Sequence, residues 1–154
     1  LLLSSHTHID KQEIKNFIKN FDTDNCFGVT LTLKQGIKNQ KLDDISSSQN
    51  LKHFLNVLNQ KCFGNQVKRF NKRLRVLPVL EVSRGNRLHY RLTLENPFPN
   101  NPNRLLNLIE SLWIRTKFGN NHIHIHENVN SEWNDYITKF NYKNDQVDWI
   151  NYQN

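Results

Sequence analysis

Four segments of the chain alternate apolar and polar residues with a period of two, which is the pattern of β-strands that bury one face. In the clearest of them, RLHYRLTLE (Arg87–Glu95), the apolar positions are Leu88, Tyr90, Leu92 and Leu94. The other three segments are residues 26–34, 75–83 and 122–126. Strands of this kind need a partner for their apolar side, so the segments between them are expected to supply apolar faces.

The segments between the predicted strands have apolar residues at helical spacing. One helix is expected after SSSQN, whose Ser and Asn side chains can cap it, and it is expected to end at Gly64. A second is expected between NPFPNNPN and Gly119, and a third over SEWNDYITKF (131–140). A short helix is expected near Ile14. Pro78 predicts an edge strand, because proline cannot donate a backbone hydrogen bond.

The resulting order, β-α-β-β-α-β and then a helix, predicts an α+β fold with a split βαβ sheet of the ferredoxin-like or RRM-like kind. We expect its two crossing helices to cover one face of an antiparallel sheet and to leave the other face open. Residues 26–154 are predicted to form one domain, preceded by an N-terminal extension over residues 1–25. The polar positions expected on the open face are Thr30, Thr32, Lys34, Glu81, His89, Arg91, His122, His124 and His126.

Charge and composition narrow the class of partner. The chain of 154 residues has a net charge of +7, which favours a polyanionic partner such as nucleic acid. No apolar run reaches membrane-spanning length, so no membrane partner is expected. The two cysteines, Cys26 and Cys62, lack the spacing of a metal site and are expected to be reduced thiols of a cytoplasmic protein.

Glu81 and His89 form the first candidate site. They lie on consecutive antiparallel strands joined by the SRGN turn, and the apolar alternation sets Glu81 opposite either His89 or Arg91. A carboxylate oxygen and an imidazole nitrogen that converge there can hold Mg²⁺ or Mn²⁺. The alternative is a cross-strand salt bridge at the surface with a solvated histidine beside it.

Tyr136 and Lys139 form the second candidate site, on the polar side of the third long helix. A tyrosine is a weak nucleophile at its free pKa, so it needs a nearby cation or a metal-polarised electrophile. Lys139 can supply the cation. The alternative is a tyrosine that packs its ring beside Trp133 while the lysine is solvated.

Three motifs, FGVTLTLK, LEVSRGNRLHYRLTLENP and WNDYITKF, follow one another in an order that resembles rolling-circle replication initiators (Rep proteins) of the HUH endonuclease superfamily. The bacterial plasmid and phage members with a single Tyr-x-x-Lys motif are the most similar. The resemblance implies that Tyr136 attacks single-stranded DNA at an origin or hairpin, leaving a 5′-phosphotyrosine link and a free 3′-hydroxyl. It implies that Glu81 and His89 bind Mg²⁺ or Mn²⁺ and that Lys139 offsets charge. A helicase is a further candidate partner.

One position departs from the family pattern, because Arg91 stands where the second histidine of the His-hydrophobe-His motif is expected. A guanidinium group cannot ligate a metal. The ion can bind through Glu81, His89 and water; a histidine of His122, His124 or His126 can complete the site; or Arg91 itself can neutralise the phosphate. The remaining alternative is an origin-recognition module that binds DNA without nicking it.

The candidate nucleic-acid contacts are basic or polar residues on strands, turns and the loop before the second strand. They are Thr30, Thr32, Lys34, Lys68, Arg69, Lys72, Arg73, Arg84, Arg87 and His124. The alternative for the basic run is an ordinary solvated loop. The alternation of HIHIH is explained by Ile123 and Ile125 in the core, so its histidines are expected to face DNA or water.

Overall fold

The structure is a computed structural model that describes residues 11–127, 129–140 and 144–154. Its helices are α1 (Lys11–Ile18), α2 (Asp44–Phe63), α3 (Gln66–Phe70), α4 (Pro102–Trp113) and α5 (Ser131–Ile137). Its strands are β1 (Cys26–Leu33), β2 (Gly36–Ile37), β3 (Gln40–Lys41), β4 (Val76–Ser83), β5 (Arg87–Glu95), β6 (Gly119–His126) and β7 (Gln146–Val147). Residues 1–10 of the predicted N-terminal extension lie outside the described residues. None of the helices in the described ranges is long and apolar enough to cross a membrane.

The main sheet has five strands in the order β6-β1-β5-β4-β7, and every neighbouring pair is antiparallel. Helix α2 connects β1 to β4 on the far side of β5, and α4 connects β5 to β6 on the far side of β1. This is the split βαβ topology. The predicted α+β fold class is therefore confirmed.

The first face of the sheet packs against α2 and α4. Leu31, Tyr90 and Leu92 are fully buried there, together with Phe54 of α2 and Trp113 of α4. The Phe54 and Trp113 rings meet edge to face, with centroids 5.2 Å apart. Each such side chain contributes roughly 1.5–3 kcal/mol by leaving water, so this layer is the main apolar core.

Helix α2 begins earlier than predicted. Its N-cap is Asp43, whose carboxylate accepts from Ser46 N at 2.7 Å while Asp43 N donates to Ser46 Oγ at 3.0 Å. The residues of SSSQN are inside the helix, where Ser48 and Asn50 are buried and bond to other elements. The end at Gly64 is as predicted, with a left-handed φ of 57°.

The second face of the sheet is not fully open, which corrects the prediction. Ile18 of α1, Ile137 of α5 and Val147 of β7 form a second apolar cluster with Leu77 and Val79. The apolar residues at outward positions of β4 explain this cover, because VLPVLEVS is apolar on both faces over its first half. Glu81 and His89 lie beyond this apolar cluster, near the end of β4 and the start of β5.

Several predicted boundaries also change. Helix α4 ends at Trp113, and Gly119 is the first residue of β6 rather than the end of the helix. Position 119 requires glycine, because a Cβ there would lie 1.9 Å from the Trp113 carbonyl oxygen. Helix α5 ends at Ile137, so Lys139 follows it rather than lying within it. The segment between β1 and α2 contains the short β2–β3 hairpin.

The position of Pro78 is also corrected, since β4 is not the edge of the sheet. Strand β7 pairs with β4 at Val79 and Leu80, and the Pro78 carbonyl accepts from Asp148 N at 2.9 Å. Two residues of pairing were too few to recognise in the sequence. Proline is tolerated there because its carbonyl, and not its nitrogen, makes the contact with the C-terminal segment.

Candidate active site

The register of three strands brings the first candidate residues into one row. Glu81 of β4 lies directly opposite His89 of β5, which lies opposite Thr32 of β1. This is one of the two registers that the alternation allows. The Glu81 and His89 side chains are 11% and 20% exposed, so a ligand can reach them although they are largely enclosed.

Both oxygens of Glu81 have a neighbour. Oε2 lies 2.6 Å from His89 Nε2, and Oε1 lies 3.1 Å from Arg91 Nε. The Arg91 contact is an ion pair without hydrogen-bond geometry, because Nε of Arg91 is buried and makes no hydrogen bond among the described residues. Arg91 therefore places a permanent positive charge beside the pair.

Helix α5 is fixed across the same face of the sheet by its tryptophan. The Trp133 ring covers Gly28 of β1 so closely that a Cβ at Gly28 would lie 2.6 Å from Cε2 of the ring. Trp133 Nε1 donates to the Leu92 carbonyl at 3.1 Å, and the Asn134 side chain is hydrogen-bonded to the Thr93 hydroxyl. Two buried anchors on β5 and one on β1 thus set the position of the helix.

Tyr136 projects from α5 above Arg91. The Arg91 guanidinium carbon lies 5.0 Å from the centroid of the Tyr136 ring, within the range of a cation–π contact. Lys139 Nζ lies 6.0 Å from the same centroid. The tyrosine is 44% exposed, so part of its side chain faces solvent. The fold places the second candidate site on the same face of the sheet as Glu81 and His89.

The donor set for a metal consists of Glu81 and His89. Within residues 11–127, 129–140 and 144–154, no group of three or more His, Cys, Asp or Glu side chains is placed to hold a metal. His124 pairs with Thr30, which pairs with Arg91, so this histidine lies two strands away from β5. The oxygen and the nitrogen are in direct contact at 2.6 Å, whereas neighbouring ligands of an octahedral Mg²⁺ ion lie about 3 Å apart, so the two side chains would have to separate slightly to hold an ion that keeps water on its other positions.

The predicted nucleic-acid contacts near this cluster lie on its rim. Arg84 and Arg87 are exposed at the turn that joins β4 to β5, just beyond Glu81 and His89. Exposed His124 lies in the row of Arg91, beside half-buried Thr30.

Two further predicted contacts lie on β1 or just after it. Thr32 donates its hydroxyl hydrogen to the His122 carbonyl at 2.6 Å, so it holds the irregular β1–β6 junction. Lys34 follows the end of β1 and is exposed.

The basic run from Lys68 to Arg73 is not brought to the cluster. It precedes β4, whereas Glu81 lies near the other end of that strand. Arg75, the last cation of the run, pairs with Glu95 at 3.1 Å and with Asp22 at 3.7 Å, so it holds the N-terminal segment to the sheet.

Sequence reasoning missed the residues that position α5. Gly28 sits inside an otherwise apolar and β-branched strand, and such a glycine marks a close approach of another group. That signal was present. The Thr93 and Asn134 pair gave none, because a buried hydroxyl and amide are recognised only once both strand and helix are in place.

Comparison of the chain with protein-family models, with curated proteins and with solved structures finds no match in any of the three. The geometry of the site therefore carries the functional inference.

Proposed function

We propose that this protein nicks and rejoins single-stranded DNA through a covalent phosphotyrosine, in the manner of rolling-circle replication initiators. The observation that carries the proposal is the exposed ring of Tyr136 above Arg91, on the face of the sheet that also holds Glu81 and His89. A nucleophile, a cation and a polar pair thus share one face of the sheet, where the scissile phosphate would bind. The net charge of +7 supports a polyanionic substrate.

The reaction exchanges one phosphate ester for another. The Tyr136 oxygen attacks the phosphorus and loses its proton to water, and the bond from phosphorus to the 3′-oxygen breaks. The released 3′-oxygen takes a proton from water, and the phosphate stays linked to Tyr136. Attack by a 3′-hydroxyl on the phosphotyrosine reverses these steps and rejoins a strand, so no outside energy source is needed.

The cations of the site act on the phosphate. Arg91 can form charge-assisted hydrogen bonds to phosphate oxygens, and its charge offsets the charge that builds up in the transition state. Lys139, whose Nζ lies 6.0 Å from the centroid of the Tyr136 ring, adds a second positive charge. Trp133 and Asn134 keep α5 in place while the nucleophile reacts.

Glu81 and His89 are the residues that would hold Mg²⁺ or Mn²⁺. A bound ion supplies Lewis-acid polarisation of the scissile phosphate. The positive charge of Arg91 beside the carboxylate opposes a second cation, so we expect weak metal binding in the absence of DNA.

The test is the formation of a covalent protein–DNA adduct. The protein is incubated with single-stranded, origin-type hairpin oligonucleotides and Mn²⁺, and the adduct is detected on a denaturing gel. We expect an adduct with the wild type and with the control Tyr152→Phe, and none with Tyr136→Phe. An adduct that persists in Tyr136→Phe, or no wild-type adduct with any oligonucleotide, would reject the nuclease.

The second candidate is a DNA-binding module of the same fold that does not nick. The pairing of both Glu81 oxygens, with His89 and with Arg91, favours it, because the carboxylate is already neutralised. The variant Arg91→His separates the two functions. Adduct that appears only in Arg91→His supports the binding module, and adduct in the wild type rejects it.

A further inference from the structure

The positive charge of this protein is concentrated in one stretch of the chain. Residues 45–80 contain seven Lys or Arg residues and no Asp or Glu. Outside this stretch the fourteen remaining Lys and Arg residues balance the fourteen Asp and Glu residues. The whole net charge therefore lies on α2, α3 and the segment that leads into β4, and not at the Tyr136 cluster.

Part of this stretch forms an exposed surface around an aromatic ring. We call it the basic face, and it consists of Lys68, Arg69, Phe70, Lys72 and Arg73. Phe70 ends α3 with 72% of its surface exposed, more than any other large hydrophobic side chain in the described residues. The guanidinium carbon of Arg69 lies 5.9 Å from the centroid of the Phe70 ring.

The backbone holds this ring and the cations in a fixed arrangement. Asn71 takes a left-handed conformation with φ of 51° and ends α3, and Lys72 N donates to the Gln66 carbonyl at 3.2 Å. Lys72 Nζ then lies 4.8 Å from the centroid of the Phe63 ring at the end of α2. Arg69 therefore lies at the exposed Phe70 ring, and Lys72 lies at the neighbouring Phe63 ring.

We propose that the basic face is a second binding site for single-stranded DNA, where a base stacks on Phe70 and the surrounding cations contact phosphates. Sequence-independent single-strand sites combine these two features, an aromatic platform and a positive surface. A duplex offers no free base face for the ring. The choice of DNA over RNA rests on the proposed function.

The basic face and Tyr136 contact different parts of the strand. The distance along β4 from Val76 to Glu81 is about 17 Å at 3.3–3.4 Å per residue, and the basic face precedes Val76. One phosphate cannot span this distance. The second site therefore holds a segment of the strand several nucleotides away from the scissile phosphate.

A groove between α2 and α4 also carries positive charge. It has a volume of about 410 Å³ and is lined by Lys61, Arg104, Asn107, Leu108 and Ser111. Two of these five residues are cations and none is acidic. These cations add to the positive charge on the side of the sheet that α2 and α4 cover.

The test measures binding without chemistry. Fluorescence anisotropy with a labelled oligothymidylate of about 16 nucleotides is recorded for the Tyr136→Phe protein, in which no adduct can form. In that background we expect Phe70→Leu to bind about tenfold more weakly and Phe70→Trp to retain the affinity, because stacking needs an aromatic ring. Wild-type affinity of Phe70→Leu would overturn the proposal.

The cations are tested by the salt dependence. Lys68→Gln/Arg69→Gln should reduce the slope of log K against log salt by about 1.4, at about 0.7 for each phosphate contact of a single strand. The matched control Lys38→Gln/Lys41→Gln, on the exposed β2–β3 hairpin, should leave the slope unchanged. Equal changes in the two double variants, or tighter binding of oligouridylate than of oligothymidylate, would overturn the proposal.

These outcomes are independent of the nuclease test. A wild-type protein that forms no adduct but binds through Phe70 rejects the proposed function and keeps the second site. If the wild type forms the adduct and Phe70→Leu binds DNA as well as the protein with Phe70, the proposed function is kept and the second site is rejected.

Discussion

The guanidinium carbon of Arg91 lies 5.0 Å from the centre of the Tyr136 ring, and this contact joins the sheet to the helix at the candidate site. The same side chain reaches Glu81 on the neighbouring strand with its Nε atom. Arg91 therefore touches both halves of the site, the tyrosine and the carboxylate. A histidine at this position would be too short to make both contacts. Arg91→His would therefore change the electrostatics of the site as well as its possible metal ligands.

The first prediction concerns the charge of Arg91. We expect Arg91→Gln to slow adduct formation by about 100-fold, because a charge-assisted contact to phosphate of about 2–3 kcal/mol is lost. Arg91→Lys keeps the charge and should lose less. The initial rate of adduct formation on a denaturing gel measures the effect. A wild-type rate in Arg91→Gln would show that this cation has no part in the reaction.

The second prediction concerns the contact that seats α5. A methyl group at Gly28 would meet the Trp133 ring at 2.6 Å, so Gly28→Ala must displace the helix. We expect a loss of about 1–3 kcal/mol in the free energy of unfolding, the usual cost of overpacking, and slower adduct formation. Urea unfolding measures the loss of stability, and the denaturing gel measures the rate of adduct formation.

The control for Gly28 is a double variant. Trp133→Leu removes the ring that the new methyl group strikes, so the effect of Gly28→Ala should be much smaller in that background. Additive losses in the double variant would contradict the close contact between this glycine and the tryptophan.

The sheet of this protein was predictable because its strands are amphipathic. Period-two alternation located the Arg87–Glu95 strand to the residue. Keeping the apolar residues of both strands on one side limited the partner of Glu81 to His89 or Arg91, and the structure selects His89. The start of α2 was not predictable in the same way. Asp43 and the three serines are all good capping residues, so the sequence does not show which of them caps the helix. Ser48 and Asn50 lie inside the helix, where they make tertiary contacts that the sequence does not reveal.

The sequence also did not predict which elements cover the second face of the sheet. Strand β7 has two residues and α5 has seven, so neither repeats its apolar pattern often enough to show which face of the sheet it covers. The candidate site could be located by motif order, but the distances within it could not. The contact of Arg91 with Tyr136 depends on the packing of the Trp133 ring against Gly28. Three separate elements, β1, β5 and α5, must therefore be in place before these distances are set.

The third prediction concerns a buried polar network at the C-terminal segment. The Tyr90 hydroxyl donates to Asp148 Oδ2 at 2.8 Å, and Ser48 and Asn151 also donate to this fully buried carboxyl group. Tyr90→Phe removes one donor, and we expect the free energy of unfolding to fall by about 2 kcal/mol. Urea unfolding measures it, with the more exposed Tyr152→Phe as the control. Equal midpoints for Tyr90→Phe and the wild type would contradict the role of the network.

The fourth prediction concerns the stability of the protein at alkaline pH. Burial raises the pKa of the Cys26 thiol from 9.0 to about 11, and it raises the pKa of the Cys62 thiol to about 11 as well. Between pH 9 and pH 11 the unfolded chain loses these protons while the folded chain keeps them, so rising pH favours unfolding by up to about 1.4 kcal/mol per pH unit for each thiol. We expect the urea midpoint to fall across this window, and to fall less steeply in Cys26→Ala/Cys62→Ala. Parallel pH profiles for the two proteins would show that these thiols titrate alike in the folded and unfolded states.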